Sequence, residues 1–223
     1  IALLKALGCT AMVHAEVSRA VHGNRTVPLS RRPVLSDADW DVLAPRMSSF
    51  ATRLAGEGLR LAYHHHMGTL IQSESEVDRL MRMTDPSVGL LLDTGHLAFA
   101  GGDPVAAAKR HAGRIAHVHC KDLRADVLAR VRAADTSFLD AVLDGVFTVP
   151  GDGMIDYPAV LAAVAAGGYQ GWLVVEAEQD PAKAHPLTYA TLGYRNLLAL
   201  ARGAGMDVLE RPDVARTASA PRG

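Results

Sequence analysis

Cysteine is scarce in this chain. Only Cys9 and Cys120 occur among the 223 residues, and they fall in different expected strands. That excludes a disulfide scaffold and points to a reduced, cytoplasmic protein. An excess of one charge is missing too: 23 Lys and Arg stand against 24 Asp and Glu, for a formal net charge of −1. Nothing therefore advertises nucleic acid or an anionic membrane as a partner. No apolar run approaches the roughly 20 residues of a membrane helix, and no signal peptide is seen. No G-x-G-x-x-G follows a strand and there is no Walker motif, so a nucleotide-binding open sheet lacks support. An initiator methionine is also lacking, and Ile1-Ala-Leu-Leu-Lys-Ala-Leu-Gly8 reads as the end of a helix stopped by glycine. A start inside a longer protein is expected. What is present is an ordinary globular composition, 49% hydrophobic and 21% charged, enough for one sizeable core.

Short apolar stretches that turn polar in their last residues recur along the chain. Residues 9–16 end on His-Ala-Glu, 59–66 on three histidines and 88–96 on Asp-Thr-Gly-His. Residues 114–122 end on His-Val-His-Cys-Lys-Asp, and 171–180 on Glu-Ala-Glu-Gln-Asp. Between them lie helical patterns. Ser36-Asp-Ala-Asp39 resembles a capping box. Trp40, Leu43, Met47, Phe50 and Leu54 then form one core stripe, in a helix that Pro45 is expected to kink. Further helices are expected near residues 73–83, 104–112, 125–134, 156–166 and 186–202, with a short one opened by Ser137. A long loop over residues 17–33 carries Arg19, Arg25, Arg31 and Arg32; its length marks it as functional or mobile. Its arginines read as solvated charges rather than substrate clamps.

Apolar strands alternating with amphipathic helices imply parallel pairing with helices outside. Six such strands are expected, including 146–149 and a buried 172–176. A complete (β/α)8 barrel needs eight and typically about 250 residues. The economical reading is an α/β TIM barrel lacking its first two βα units, with about six of eight present. It covers residues 1–202, and residues 203–223 read as a poorly ordered tail. An open doubly wound sheet is the alternative, with ligands at a strand-order switch.

Side chains alternate along a strand, so parity tests which polar groups share a face. His64 and His66 share one, with His65 opposite. His117, His119 and Lys121 share one, as do Glu176 and Glu178, and His14 and Glu16. One inward face can gather Asp93, His119 and Glu176 with His64 or His66. Mixed carboxylate and imidazole donors suit Mn, Co, Fe or Zn, and a divalent Mn or Co ion is the expected cofactor. Each residue alone has a plainer role: Asp93 as a cap for its turn, a histidine as a satisfied core group. Glu176 is hardest to dismiss, because an acid ending so apolar a strand is costly without a partner. Cys120 points away from that face and reads as structural. Gly151 and Gly153 read as turn residues before any phosphate cradle.

At these residues a resemblance enters. Asp93-Thr-Gly-His96, His117-Val-His-Cys-Lys-Asp122, Pro150-Gly-Asp-Gly153 and Trp172-Leu-Val-Val-Glu176 resemble the xylose-isomerase-like TIM barrels. That superfamily holds sugar isomerases and epimerases, apurinic endonucleases and related dehydratases. Tyr63-His-His-His-Met-Gly-Thr69, Phe138-Leu-Asp-Ala-Val-Leu, Phe147-Thr-Val-Pro-Gly-Asp-Gly and Glu176-Ala-Glu-Gln-Asp-Pro-Ala-Lys183 are similar to its inosose dehydratase branch, of myo-inositol catabolism. The resemblance runs from about residue 3 to residue 200. It implies metal ligation by Asp93, His119 and Glu176. Its fourth ligand, an acid in relatives, falls on or near His64, where this chain departs from the pattern. His66 and His96 fall where relatives place substrate-contacting histidines.

The implied reaction is metal-assisted loss of water from 2-keto-myo-inositol (scyllo-inosose), giving a trihydroxycyclohexane-1,2-dione. A Lewis acid must polarise the ketone, a base must take the α-proton and an acid must help the β-hydroxyl leave. His66, His96, Lys121, Glu16 and Glu178 are the candidates for the last two tasks. The partner expected is thus a small cyclic polyol ketone, with no nucleic acid and no membrane; a homo-oligomer stays open. The alternatives are a ketose isomerase or epimerase of the same superfamily, and an inactive fragment or sugar-binding module. DNA repair is disfavoured, for want of a multi-metal ligand set and a basic face.

Overall fold

The computed structural model describes residues 1–209. A short helix α1 (Ala2–Ala6) leads into strand β1 (Ala11–His14), and a long connection reaches helix α2 (Asp37–Gly56). The alternation continues with β2 (Arg60–His64), α3 (Glu74–Met83), β3 (Val88–Asp93), α4 (Thr94–Phe99), α5 (Pro104–Arg110) and β4 (Ile115–Cys120). Then come β5 (Asp122–Leu123), α6 (Ala125–Ala133), α7 (Phe138–Leu143), β6 (Phe147–Thr148), α8 (Tyr157–Ala166), β7 (Leu173–Val175) and α9 (Pro186–Gly203). Residues 210–223, two thirds of the expected tail, lie outside the described residues. No helix among the described residues is long and apolar enough to cross a membrane.

β1, β2, β3, β4 and β7 form one parallel sheet in that order. Parallel strands need crossovers, and the helices supply them on one face. α2 and α3 cover β1 to β3 through Trp40, Met47, Leu54, Leu61, Tyr63, Leu80 and Leu90. α5, α8 and α9 cover the other half through Leu92, Ala107, Val118, Val160, Leu161 and Leu197. Every residue of β3 is buried, as its position at the centre of the sheet requires. The opposite face of the sheet carries His64, Leu91, Asp93, His117 and His119, aligned by strand register.

Two strand expectations change. Residues 146–149 do not add a parallel stave: β6 pairs antiparallel with β5 in a separate two-stranded ribbon. The run there is apolar because Val146 and Phe147 pack with Phe138 and Leu123, not because it sits in the main sheet. Residues 172–176 form an edge strand rather than a buried one; β7 is half-buried throughout, and Trp172 is 59% exposed. The core face of α2 is also rotated from its expected stripe. It buries Trp40, Ala44, Met47, Ala51 and Leu54, leaving Leu43 and Phe50 partly buried, and it runs unbroken through Pro45. Ser36 and Asp39 do form the reciprocal cap at its start.

The ribbon is pinned by one buried carboxylate. Asp122 accepts from the backbone N–H groups of Leu123, Gly151, Gly153 and Ile155, at 2.8, 3.0, 3.1 and 3.0 Å. The Pro-Gly-Asp-Gly turn therefore spends its amides on an internal anion, not on a phosphate. A Cβ on Gly153 would overlap Asp122 Oδ1 and Leu123 O, which is why that position has none. Asp122→Ala would leave four donors without their acceptor and is expected to destabilise the chain by about 3–5 kcal/mol. A thermal melt checks this; an unchanged Tm would show that water replaces the carboxylate.

Candidate active site

The site forms where β2, β3, β4 and β7 end, at the carboxyl edge of the sheet. In parallel α/β proteins that edge is where the loops gather chemistry. Asp93 closes β3 and does two things at once. Its Oδ1 accepts from His96 N at 2.9 Å, capping α4. Its Oδ2 faces His64 Nε2 at 3.3 Å, His119 Nδ1 at 3.4 Å and Lys121 Nζ at 3.7 Å. The plain reading of Asp93 as a turn cap and the functional one thus fall on different oxygens of one carboxylate.

Glu176, just past β7, reaches the same point. Its Oε2 lies 3.1 Å from His119 Nδ1 and 2.8 Å from Lys121 Nζ. One ligand atom from each of His64, Asp93, His119 and Glu176 lies within 4.8 Å of the others. His119 Nδ1 and Glu176 Oε2 are both buried, and among the described residues their close contacts are charged ones, with each other, Asp93 and Lys121. Four N and O donors of mixed type converging from four strand ends fit a divalent cation.

A second group adjoins the first. Lys121 Nζ, on a side chain only 1% exposed, lies 2.9 Å from Glu178 Oε2 and 2.9 Å from His96 Nε2. Glu178 also faces His96 Nε2 at 3.2 Å and His66 Nε2 at 3.6 Å, and the rings of His66 and His96 are 3.7 Å apart. The Lys121 backbone is fixed by the turn that ends the neighbouring strand β3. Thr94 Oγ1 donates to Lys121 O at 2.8 Å or to Tyr157 OH, also 2.8 Å away, and accepts from Lys121 N at 3.1 Å. A Cβ on Gly95 would come within 2.6 Å of Lys121 Cγ. Asp-Thr-Gly-His therefore needs its glycine so that the lysine stem can cross over it.

Electrostatics follow from this packing. Burial works against charge on Asp93, but Lys121, His96, His119 and His64 outweigh it and hold the carboxyl well below its usual range. Burial likewise opposes the charge on Lys121, while Asp93, Glu178 and Glu176 raise its pKa above the ordinary lysine value. His119 is pushed up to about 9 against its own burial by the two carboxylates beside it. His96 is held well below the imidazole range by burial and by Lys121, so its ring is neutral. Glu178 stays ionised despite burial, through His66, His96 and Lys121.

Residues 1–199 match the family described as xylose isomerase-like TIM barrel. The chain belongs to that family. It is similar to the rhizopine catabolism protein MocC of Rhizobium meliloti, 54% identical over 203 residues, which are 91% of this chain and 62% of that protein. It is similar to an inosose dehydratase of Geobacillus thermodenitrificans, 48% identical over 186 residues, 82% of this chain and 62% of that protein. Among solved structures, a xylose isomerase domain protein from Alicyclobacillus acidocaldarius superposes with a TM-score of 0.65 at 21% identity, over 92% of this chain and 68% of that one. That likeness concerns the fold alone. The chain spans 62% of the length of each of the two curated relatives.

Within this xylose isomerase-like chain, the candidate residues divide by location. His64, Asp93, His119 and Glu176 converge, and His66, His96, Lys121 and Glu178 stand next to them. Glu16 does not join either group. His14 is the register partner of Tyr63, whose ring is in the outer core, so the face shared by His14 and Glu16 is the helix side of the sheet. There Glu16 accepts from Ser18 N at 2.8 Å and lines a hollow beside α2 with Leu43, Met47 and Phe50. Parity paired the two residues but could not say which face was inward. Cys120 is fully buried on that same helix side, and burial pushes its thiol pKa up, as suits a structural residue.

Some site neighbours are not among the candidate site residues read from the sequence. Phe138 and Phe147 wall the imidazoles, at 5.4 Å from His66 and 5.2 Å from His96. His65, facing away as expected, accepts from Asp93 N at 3.3 Å and so steadies a site residue from behind. Of the loop arginines, Arg32 departs from the solvated expectation, while Arg25, with a side chain 64% exposed, keeps to it. Arg25 pairs with Asp140 at 2.6 Å, and Arg32 with Glu76 at 2.6 Å on side chains 14% exposed, so both anchor the loop.

Proposed function

We propose that this chain carries the site of an inosose dehydratase, a lyase that removes water from scyllo-inosose to leave a trihydroxycyclohexane-1,2-dione. The observation that supports it is one lysine joining two groups: a four-residue mixed donor set and a His66–His96–Glu178 set able to move protons. The 48% identity to an inosose dehydratase supports the substrate.

His64, Asp93, His119 and Glu176 would hold one divalent ion; two imidazoles with two carboxylates suit Mn, Co, Fe or Zn, and Mn or Co is the reading carried forward. When bound, the ion supplies a Lewis acid that polarises the substrate ketone. The chain's own groups then handle two protons. Neutral His96 takes the proton α to the ketone at Nε2. The Lys121 ammonium gives one to the departing β-hydroxyl, which leaves as water. Because Lys121 Nζ lies 2.9 Å from His96 Nε2, the imidazolium returns its proton directly to the amine, and the pair ends the cycle as it began. Glu178, ionised and in contact with His66, His96 and Lys121, orients all three. The Phe138 and Phe147 rings limit water on that side. Free thiols at Cys9 and Cys120 are consistent with a reducing compartment such as the cytoplasm.

A second reading takes the substrate from rhizopine breakdown, favoured by the 54% identity to a rhizopine catabolism protein. A third keeps the site and changes the outcome: a ketose epimerase or isomerase would move the proton without losing water. Incubating the Mn-loaded protein with scyllo-inosose and with ketohexoses separates the first reading from the third. Dione absorbance with inosose alone is expected; sugar interconversion without dione would assign it to the epimerases.

A further inference from the structure

We propose that His22, on the connection between β1 and α2, is a substrate-contacting residue that hydrogen-bonds a ring hydroxyl of the bound cyclic polyol. The identity of the polyol rests on the functional reading above; the placement of the imidazole does not.

The connection is not a loose loop. At one side Val21 N donates to Gly68 O at 2.8 Å. At the other, Leu29 N donates to Thr136 O at 2.9 Å, Pro28 bridges to Ser137, and Arg25 pairs with Asp140. It therefore runs across the carboxyl end of the sheet, from the turn after β2 to the start of α7. Where it crosses, its backbone sits directly on Gly68, which has φ +73°. A Cβ there would come within 3.0 Å of His22 Cα and N. A side chain at position 68 would thus be strained twice, by its backbone angle and by the loop above it.

That close approach delivers the His22 ring to the site. It lies 5.3 Å from the His66 ring at 62°, and His66 in turn meets His96 and Glu178. His22 Nδ1 is buried and has no hydrogen-bond partner among the described residues. Such an atom in a folded protein calls for an explanation, and here it stands beside the groups that would surround the substrate. Burial first, and then His66, lower its pKa, so the ring is neutral. A neutral imidazole offers one donor and one acceptor, the complement of an alcohol. His22 makes no hydrogen bond to Lys121, His96 or Glu178 in this structure, so it stands outside the proton transfers and belongs to binding.

The test uses the full chain loaded with Mn. His22→Ala and His22→Phe are expected to raise KM for scyllo-inosose about tenfold. The expected kcat stays within about twofold, because an interaction made equally in ground and transition states is lost. Metal content and Tm are expected to match wild type. His22→Asn, which keeps a donor and an acceptor, should recover most of the KM. Calorimetric titration with myo-inositol, a polyol lacking the ketone, reads binding without turnover and should show the same weakening in His22→Ala. An unchanged KM and an unchanged myo-inositol affinity in His22→Ala overturn the proposal. So does a fall in kcat and Tm together, which is the mark of packing alone. If wild type turns over a ketohexose and not inosose, the dehydratase reading fails, and His22 is judged by the same KM comparison on that ketose.

Discussion

Lys121→Met is expected to lower kcat for scyllo-inosose about a thousandfold, within the range that positioned proton donors contribute. Methionine keeps most of the stem that crosses Gly95, and so keeps the packing, but it removes the ammonium. In its absence Glu176 and Glu178 lose a cation at 2.8 and 2.9 Å, and His96 loses the group to which it returns its proton. Breaking a buried ion pair costs about 3–5 kcal/mol when a charge is stranded. Here both glutamates are about a third exposed, 33% and 32%, so solvent and protonation reduce that cost well below the buried value. The decisive contrast is with metal binding. Removing a positive charge beside the donor set should leave affinity for Mn or Co no weaker than in wild type. Kinetics, metal content and a melt on the same sample check this. A variant within about tenfold of wild-type kcat would remove Lys121 from the chemistry.

Glu176→Gln is expected to abolish turnover at metal concentrations that saturate the wild type. The substitution conserves shape and takes away only the charge of one oxygen pair. Partners that merely orient metal ligands are worth about 10–100-fold in affinity, and a direct ligand should cost at least about a hundredfold. The metal-free variant should melt within about 2 °C of metal-free wild type, because Asp93, Lys121 and Glu178 still satisfy one another. Wild type should gain stability on adding Mn, by mass action, and the variant should not at the same concentration. Full activity in Glu176→Gln would place the reaction elsewhere.

How much of this could be read from the sequence depends on how local the cause is. Asp93, His119 and Glu176 lie at the ends of apolar strands, where a period of two and a burial penalty together decide which side chains face which way. Their ligand atoms do meet in the structure, with His64 beside them. The same periodicity said nothing about the sign of the face at β1, so Glu16 was grouped with residues it does not approach. Residues 146–149 looked like another stave, since an apolar run carries no record of whether its neighbours are parallel. Trp172 looked buried for the same reason; its exposure comes from lying at the edge of the sheet. Loop contacts were the least legible. Arg25, Arg32 and His22 owe their places to Asp140, Glu76 and Gly68, residues distant in the sequence that only the folded chain brings alongside.

The site contains two clusters of side chains that could hold a metal, and the proposed ion belongs to only one of them. His66, His96 and Glu178 also lie within 4.8 Å, but Lys121 stands 2.9 Å from two of them, where a second cation would have to sit. The most direct measurement is therefore a titration of the chelated full chain with Mn or Co, following inosose turnover at each addition. No dione is expected without metal, and the rise is expected to level at one ion per chain. Turnover in the chelated protein equal to that of the loaded one, or a rise that levels only at two ions, would contradict that expectation.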